Sequence, residues 1–123
     1  MQALGKHVIL ELNDCDRGCI SNCEFLRRTL LEACRLVGAT ILGDSFHVFS
    51  PYDGVSGVII IAESHLSIHT WPEYGYAAVD IFACGDSLQP QSAVDFMVRE
   101  LKADNHSILE LERGILNSPV LHE

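Results

Sequence analysis

The chain has 123 residues, 48% hydrophobic and 20% charged, and its 8 Lys and Arg against 17 Asp and Glu leave a net charge of −9. That length fits one domain, residues 1–123, with a core that needs no disulfide or metal staples. The acidity disfavours a nucleic-acid backbone or an anionic membrane surface as partner and suits a cationic small molecule.

The N-terminus, Met1 to Glu11, lacks a basic stretch followed by a long apolar run, so it does not read as a secretory signal. The longest apolar stretch, Val58 to Ala62, is too short to span a bilayer. The five cysteines, an odd number without an export signal, read as reduced thiols in a cytoplasm. Cys15, Cys19 and Cys23 are separated by three and three residues, whereas radical iron–sulfur motifs use three and two. No fourth ligand follows nearby, so zinc is unsupported too. They read as incidental thiols, and no metal is expected.

In chain order, Lys6 to Asn13 alternates, with Val8, Leu10 and Leu12 on one face of a strand. Ser21 and Glu24 fit a capping box. The helix behind it places Leu26, Leu30, Ala33 and Val37 inward, leaves Arg27, Arg28 and Arg35 facing water, and stops at Gly38. Thr40 to Phe49 reads as a strand with a bulge or bend at Gly43-Asp44. In the turn Pro51-Tyr52-Asp53-Gly54, glycine is expected to supply the positive dihedral. Strands over 55–63, 66–71 and 76–84 follow, with Pro72-Glu73-Tyr74-Gly75 as a turn between the last two. A helix over 91–102 turns Val94, Met97, Val98 and Leu101 inward, a strand over 106–113 closes the domain, and the tail from Asn117 is expected to fray. The order β-α-β-β-β-β-α-β points to an α+β two-layer sandwich: a mainly antiparallel sheet with two helices on one face.

Reactive side chains concentrate between Val55 and Gly85. Ser64, His69 five residues on and the distant Cys84 leave a nucleophile open on pattern alone, because a triad needs no fixed spacing. On pattern alone Cys84 reads first as a small core residue, and Trp71 and Phe49 as core aromatics. His65 and His69 are four apart, which would suit a metal pair on a helix, but the alternation puts them on a strand without a third ligand. His7, His47 and His106 read as structural or solvent-facing.

The run from Glu63 through Ser64-His65-Leu66-Ser67-Ile68-His69-Thr70-Trp71-Pro72-Glu73-Tyr74-Gly75 to Asp80, with Cys84-Gly85 and Gly54-Val55-Ser56-Gly57-Val58, closely resembles the prokaryotic S-adenosylmethionine decarboxylases. The resemblance extends from Gly5 to about Gly114. It implies a lyase that is made as a zymogen and decarboxylates S-adenosylmethionine, yielding an aminopropyl donor for polyamine synthesis. The cofactor would be a pyruvoyl group made from Ser64, which forms a Schiff base with the substrate. Self-cleavage would fall between Glu63 and Ser64, giving a β chain 1–63 and an α chain 64–123.

By matching position, His69 supports processing as the base for the α-proton, Ser56 assists it, and Cys84 returns a proton to the α-carbon. Glu73 would hold the ribose hydroxyls, Trp71 and Phe49 the adenine, and Glu11 the substrate's charged end. The uncovered sheet face and the resemblance imply a homodimer, in which residues near Phe49 of one copy meet the Ser64 and Glu73 region of the other. Two other functions stay open for a chain with these residues: a pyruvoyl decarboxylase of arginine or ornithine, and a non-catalytic regulatory homologue. A plain small-molecule binding module has no feature in its favour.

Overall fold

Period-two alternation of apolar residues builds a sheet whose two faces meet different surroundings. In a computed structural model, which describes residues 2–85 and 88–116, the elements are β1 (Gln2–Asn13), α1 (Arg17–Ile20), α2 (Cys23–Leu36), β2 (Ile41–Phe49), β3 (Gly54–Ile61), β4 (Ser64–Trp71), β5 (Tyr76–Cys84), α3 (Pro90–Glu100) and β6 (Asn105–Leu116). A 3₁₀ turn, Pro72–Tyr74, separates β4 from β5. The sheet order is β2-β3-β4-β5-β1-β6, and each neighbouring pair is antiparallel. The expected two-layer architecture is therefore present. The expected tail from Asn117 lies outside the described residues.

Val8, Leu10 and Leu12 of β1 alternate inward with Ile59 of β3, Leu66 and Ile68 of β4, and Val79 of β5. There they meet Leu26, Leu30 and Ala33 of α2 and Val94 and Met97 of α3, all buried. α2 packs on β2 and β3, α3 packs on β1, and the two helices pack together. Each large side chain so buried contributes roughly 1.5–3 kcal/mol. Among the described residues the opposite face carries no helix, and Ile60, Trp71, Leu109 and Leu111 stand exposed along its strands.

Local chemistry departs from the sequence reading in four places. The cap of α2 is Asn22, whose side chain accepts from the Phe25 N–H at 3.0 Å. Residues 17–20 form a separate helical turn, so Ser21 is not extended, and its hydroxyl turns back to donate to the Arg17 carbonyl at 2.8 Å. Arg27 is not simply solvated: its guanidinium grips Asp44 of β2 through two nitrogens, at 3.1 and 3.2 Å. In the turn before β3, Asp53 takes the positive dihedral, φ 61°. Gly54 is required for another reason, since a Cβ there would lie 2.8 Å from the Thr70 carbonyl oxygen. The bulge in β2 falls between Ile41 and Gly43, just before the expected Gly43-Asp44.

The other end of α2 is as expected. Gly38 is left-handed, φ 79°, and its N–H reaches the Arg35 carbonyl while that of Ala39 reaches Cys34, each at 3.0 Å. This double closure satisfies the last carbonyls of the helix and delivers the chain into β2.

Candidate active site

Four strands in meander order fix where the chemistry lies. The turns at 50–53 and 72–75 fall at one end of the sheet, and the turn at 62–63, between β3 and β4, falls at the other. The candidate residues therefore divide into two groups.

At the first end, Ser56 of β3 and His69 of β4 are register partners. Ser56 Oγ lies 2.9 Å from His69 Nδ1, a hydrogen bond on the helix-free face. The row continues across Ala78 of β5 to Glu11 of β1. Beside it opens a cavity of about 340 Å³, lined among others by Phe49, Tyr52, Ser56, His69, Trp71 and Glu73. Such a volume holds a small organic ligand. Phe49 is 52% and Trp71 41% exposed, so neither is a core aromatic. Trp71 stacks on Tyr76, with ring centroids 5.3 Å apart. The Tyr76 hydroxyl donates to the Glu11 carboxylate. Burial, then that bond, pushes Tyr76 up to about 12. Glu11 thus borders the aromatic pair without lining the cavity.

Thr70 anchors this end from below. Its buried hydroxyl accepts from the Val55 N–H at 2.9 Å and donates to the Ile20 carbonyl at 2.8 Å. It ties β4 both to β3 and to α1. Glu73 sits half-buried in the 3₁₀ turn, which Gly75 closes in the left-handed region at φ 63°.

At the second end, Ser64 opens β4 opposite Ile61 of β3 and Ala83 of β5. The carbonyl of Glu63, the acyl group of the Glu63–Ser64 linkage, accepts a hydrogen bond from the Cys84 N–H at 3.1 Å. The Cys84 side chain alternates onto the helix-free face with Phe82 and Asp80, and the thiol is free and exposed. Cys15 and Cys34 are buried instead, and burial pushes both thiols up to about 11. Burial also raises Cys19. Ser64 Oγ lies 3.4 Å from His65 Nδ1, a weak contact.

His69 is not beside Ser64. They are five positions apart along an extended strand, about 16 Å of rise. Phe49 and Glu73 line one cavity, so the expected grouping, with Phe49 from one copy and Glu73 next to Ser64 of the other, is corrected. Both belong to the His69 end. The reason is topological, because the turns preceding β3 and preceding β5 share an end of the sheet.

Sequence reasoning missed several partners. Thr70 was hidden because a threonine in a strand looks like any β-former. The central pair on the open face, His7 Nε2 and Asp80 Oδ1 at 3.1 Å, had no sequence signal, since 73 residues separate the two. Among the described residues no group of three His, Cys, Asp or Glu side chains is arranged to hold a metal ion.

A serine opens the hairpin strand at one end of the sheet, and a serine–histidine pair beside an acidic, aromatic cavity stands at the other. The model of the S-adenosylmethionine decarboxylase family matches residues 6–114. An S-adenosylmethionine decarboxylase proenzyme of Thermosipho melanesiensis is 48% identical over 114 residues, covering 93% of this chain and 87% of its own. One from Caldicellulosiruptor saccharolyticus is 46% identical over 120 residues, covering 98% and 96%. The crystal structure of the adenosylmethionine decarboxylase from Aquifex aeolicus superposes with a TM-score of 0.89 at 33% identity, over 99% of this chain and 100% of that one. The chain belongs to the S-adenosylmethionine decarboxylase family.

Proposed function

We propose that the chain is a proenzyme that cuts itself between Glu63 and Ser64, and that the processed product decarboxylates S-adenosylmethionine with a pyruvoyl group made from Ser64. The observation that carries this reading is the hydrogen bond from the Cys84 N–H to the Glu63 carbonyl, 3.1 Å. That carbonyl is the one an attacking Ser64 hydroxyl would meet, and its oxygen gains negative charge as the attack proceeds. A fixed backbone donor at such an oxygen is worth about 10²–10³ in rate.

The atoms balance as follows. Ser64 Oγ bonds to the Glu63 carbonyl carbon, the amide C–N bond breaks, and the hydroxyl proton ends on the freed Ser64 nitrogen, leaving an ester. Removal of the Ser64 α-proton breaks the Cβ–O bond, expels Glu63 as a carboxylate and leaves dehydroalanine. Water adds to its imine tautomer, ammonia departs, and pyruvoyl remains at position 64. The residues fit the group, because a serine hydroxyl next to a held carbonyl is what its formation needs. When present, the pyruvoyl carbonyl takes the substrate's amine and accepts the electron pair released with carbon dioxide.

His69 suits the α-proton step. In the tautomer with Nδ1 donating to Ser56 Oγ, Nε2 keeps its lone pair and would serve as the base, with Ser56 holding the ring. Cys84 Sγ, on the same face as the row that carries His69, is the group assigned to return a proton to the substrate's α-carbon. Glu73 would accept from the ribose hydroxyls, with the adenine between Phe49 and Trp71. Glu11, held by Tyr76, would face the positive end of the substrate.

A homodimer follows from the separation of the two ends. One protomer cannot bring its own His69 to its own Ser64 across about 16 Å of strand. Two copies packed by a two-fold axis through their helix-free faces set each Ser64 end against the partner's His69 end, giving two equal composite sites. The exposed Ile60, Leu109 and Leu111 would be covered by the same step. No helix among the described residues is long and apolar enough to cross a membrane, and the five free cysteines support a cytoplasmic home.

Intact-mass spectrometry under denaturing conditions tests the reading. Two pieces matching 1–63 and 64–123, the second blocked at its N-terminus by pyruvoyl, are expected. A full-length species that persists on incubation contradicts it, and Ser64→Ala should give that species by design.

A further inference from the structure

We propose that the Glu63 side chain and Thr40 form a clamp that positions the scissile carbonyl for self-cleavage. The proposal rests on the reading that the cut falls between Glu63 and Ser64. One Glu63 carboxylate oxygen accepts from the Thr40 N–H at 3.2 Å, and the other from the Thr40 hydroxyl at 3.5 Å, a weaker contact. The Ala62 N–H donates to the Thr40 carbonyl at 2.8 Å. On the other side, the Glu63 carbonyl is held by the Cys84 N–H at 3.1 Å.

The residue whose carbonyl is attacked is thus fixed through its side chain to the start of β2 and through its backbone to the end of β5. Thr40 is itself a firm support. It lies two residues beyond Gly38, where the closure of α2 onto Arg35 and Cys34 ends. A turn joining β3 to β4 has freedom to rotate its peptide planes, and a hydroxyl attacks a carbonyl well only from above its plane. The clamp removes that rotation before the reaction begins, which is the kind of pre-alignment that governs intramolecular attack. Both Thr40 donors are neutral, so the clamp depends on reach and acceptor geometry rather than on the carboxylate's charge. Glu63 and Thr40 are in this sense positioning residues.

The test is a cleavage time course on freshly synthesised proenzyme, followed by mass spectrometry with and without hydroxylamine, which splits the ester as it forms. Glu63→Asp keeps the charge but is one methylene shorter, and should slow cleavage by about 10–100-fold, the cost of losing alignment. Glu63→Gln keeps an oxygen for the Thr40 N–H and should stay within about threefold of wild type, because the bond it preserves is the stronger one. Glu63→Ala should be at least as slow as Glu63→Asp, and serves if the aspartate variant fails to fold. Hydroxylamine should leave the slow variants slow, because ester formation is the retarded step.

Wild-type rates for Glu63→Asp and Glu63→Ala would overturn the clamp. So would a Gln variant as slow as Asp, or hydroxylamine restoring the Asp variant, which would put the defect in elimination. If the wild-type chain never cleaves after Glu63, the cleavage reading fails instead, and the two failures are told apart by that control.

Discussion

The two ends of the β3–β4 hairpin share strands and register but differ in chemistry. The turn end holds the Glu63–Ser64 linkage, its carbonyl bonded to the Cys84 N–H. The far end holds Ser56 and His69 at 2.9 Å and the cavity with Glu73. A β-strand is a ruler, rising about 3.3 Å per residue, so these ends cannot meet inside one protomer. On the proposed reading, one chain carries both halves of the site and needs a second copy to bring them together.

The largest effects should come from breaking each end separately. Cys84→Ala keeps the backbone N–H that holds the Glu63 carbonyl, so it should still cleave. Its turnover of S-adenosylmethionine should fall by about 10²–10⁴-fold, the usual worth of a positioned acid. His69→Ala should instead stall at the ester, and hydroxylamine should then split the chain. A time course of cleavage for both variants, with and without hydroxylamine, checks the division. If Cys84→Ala blocks cleavage as fully as His69→Ala, the two ends do not divide the labour in this way.

A smaller effect sharpens the same contrast. Thr70→Val is close in shape but leaves the Val55 N–H and the Ile20 carbonyl without their partner. It should lower stability by about 1–3 kcal/mol per group left unpaired, read as a fall in the denaturation midpoint. Ester formation at the far turn, read as cleavage in hydroxylamine, should change little, because Thr70 anchors only the His69 end. An equal loss of hydroxylamine-dependent cleavage in the folded variant would mean that the ends are mechanically coupled.

Much of this was legible in the residues. Alternation in 6–13, the turn-bounded β-branched run at 55–63, the element order and the inward stripes of the two longer helices were enough for a two-layer sandwich. Side-chain caps were harder, because Ser21 and Asn22 are both good caps and only the extra turn at 17–20 decides between them. The positive dihedral falls on Asp53, one residue before the glycine that the close approach to Thr70 requires, and nothing in the residue types distinguished the two demands. The candidate residues were legible through resemblance, while their grouping was not. Yet the separation of Ser64 from His69 needed only their spacing and the strand assignment. The pairing of Phe49 with Glu73 needed the sheet order as well, since it depends on which turns share an end. Long-range pairs such as His7 with Asp80 exist only once β1 is inserted beside β5.

The composite site is tested most directly by mixing defects. Ser64→Ala and His69→Ala chains, each unable to mature alone, should be co-expressed with distinguishable tags. In a mixed dimer, the intact Ser64 of the His69→Ala chain meets the intact His69 of the Ser64→Ala chain. The account predicts that His69→Ala chains are cleaved in the mixture and that decarboxylation of S-adenosylmethionine appears, while each variant alone gives neither. Uncleaved His69→Ala chains in verified mixed dimers would contradict it, and would return the whole site to a single protomer.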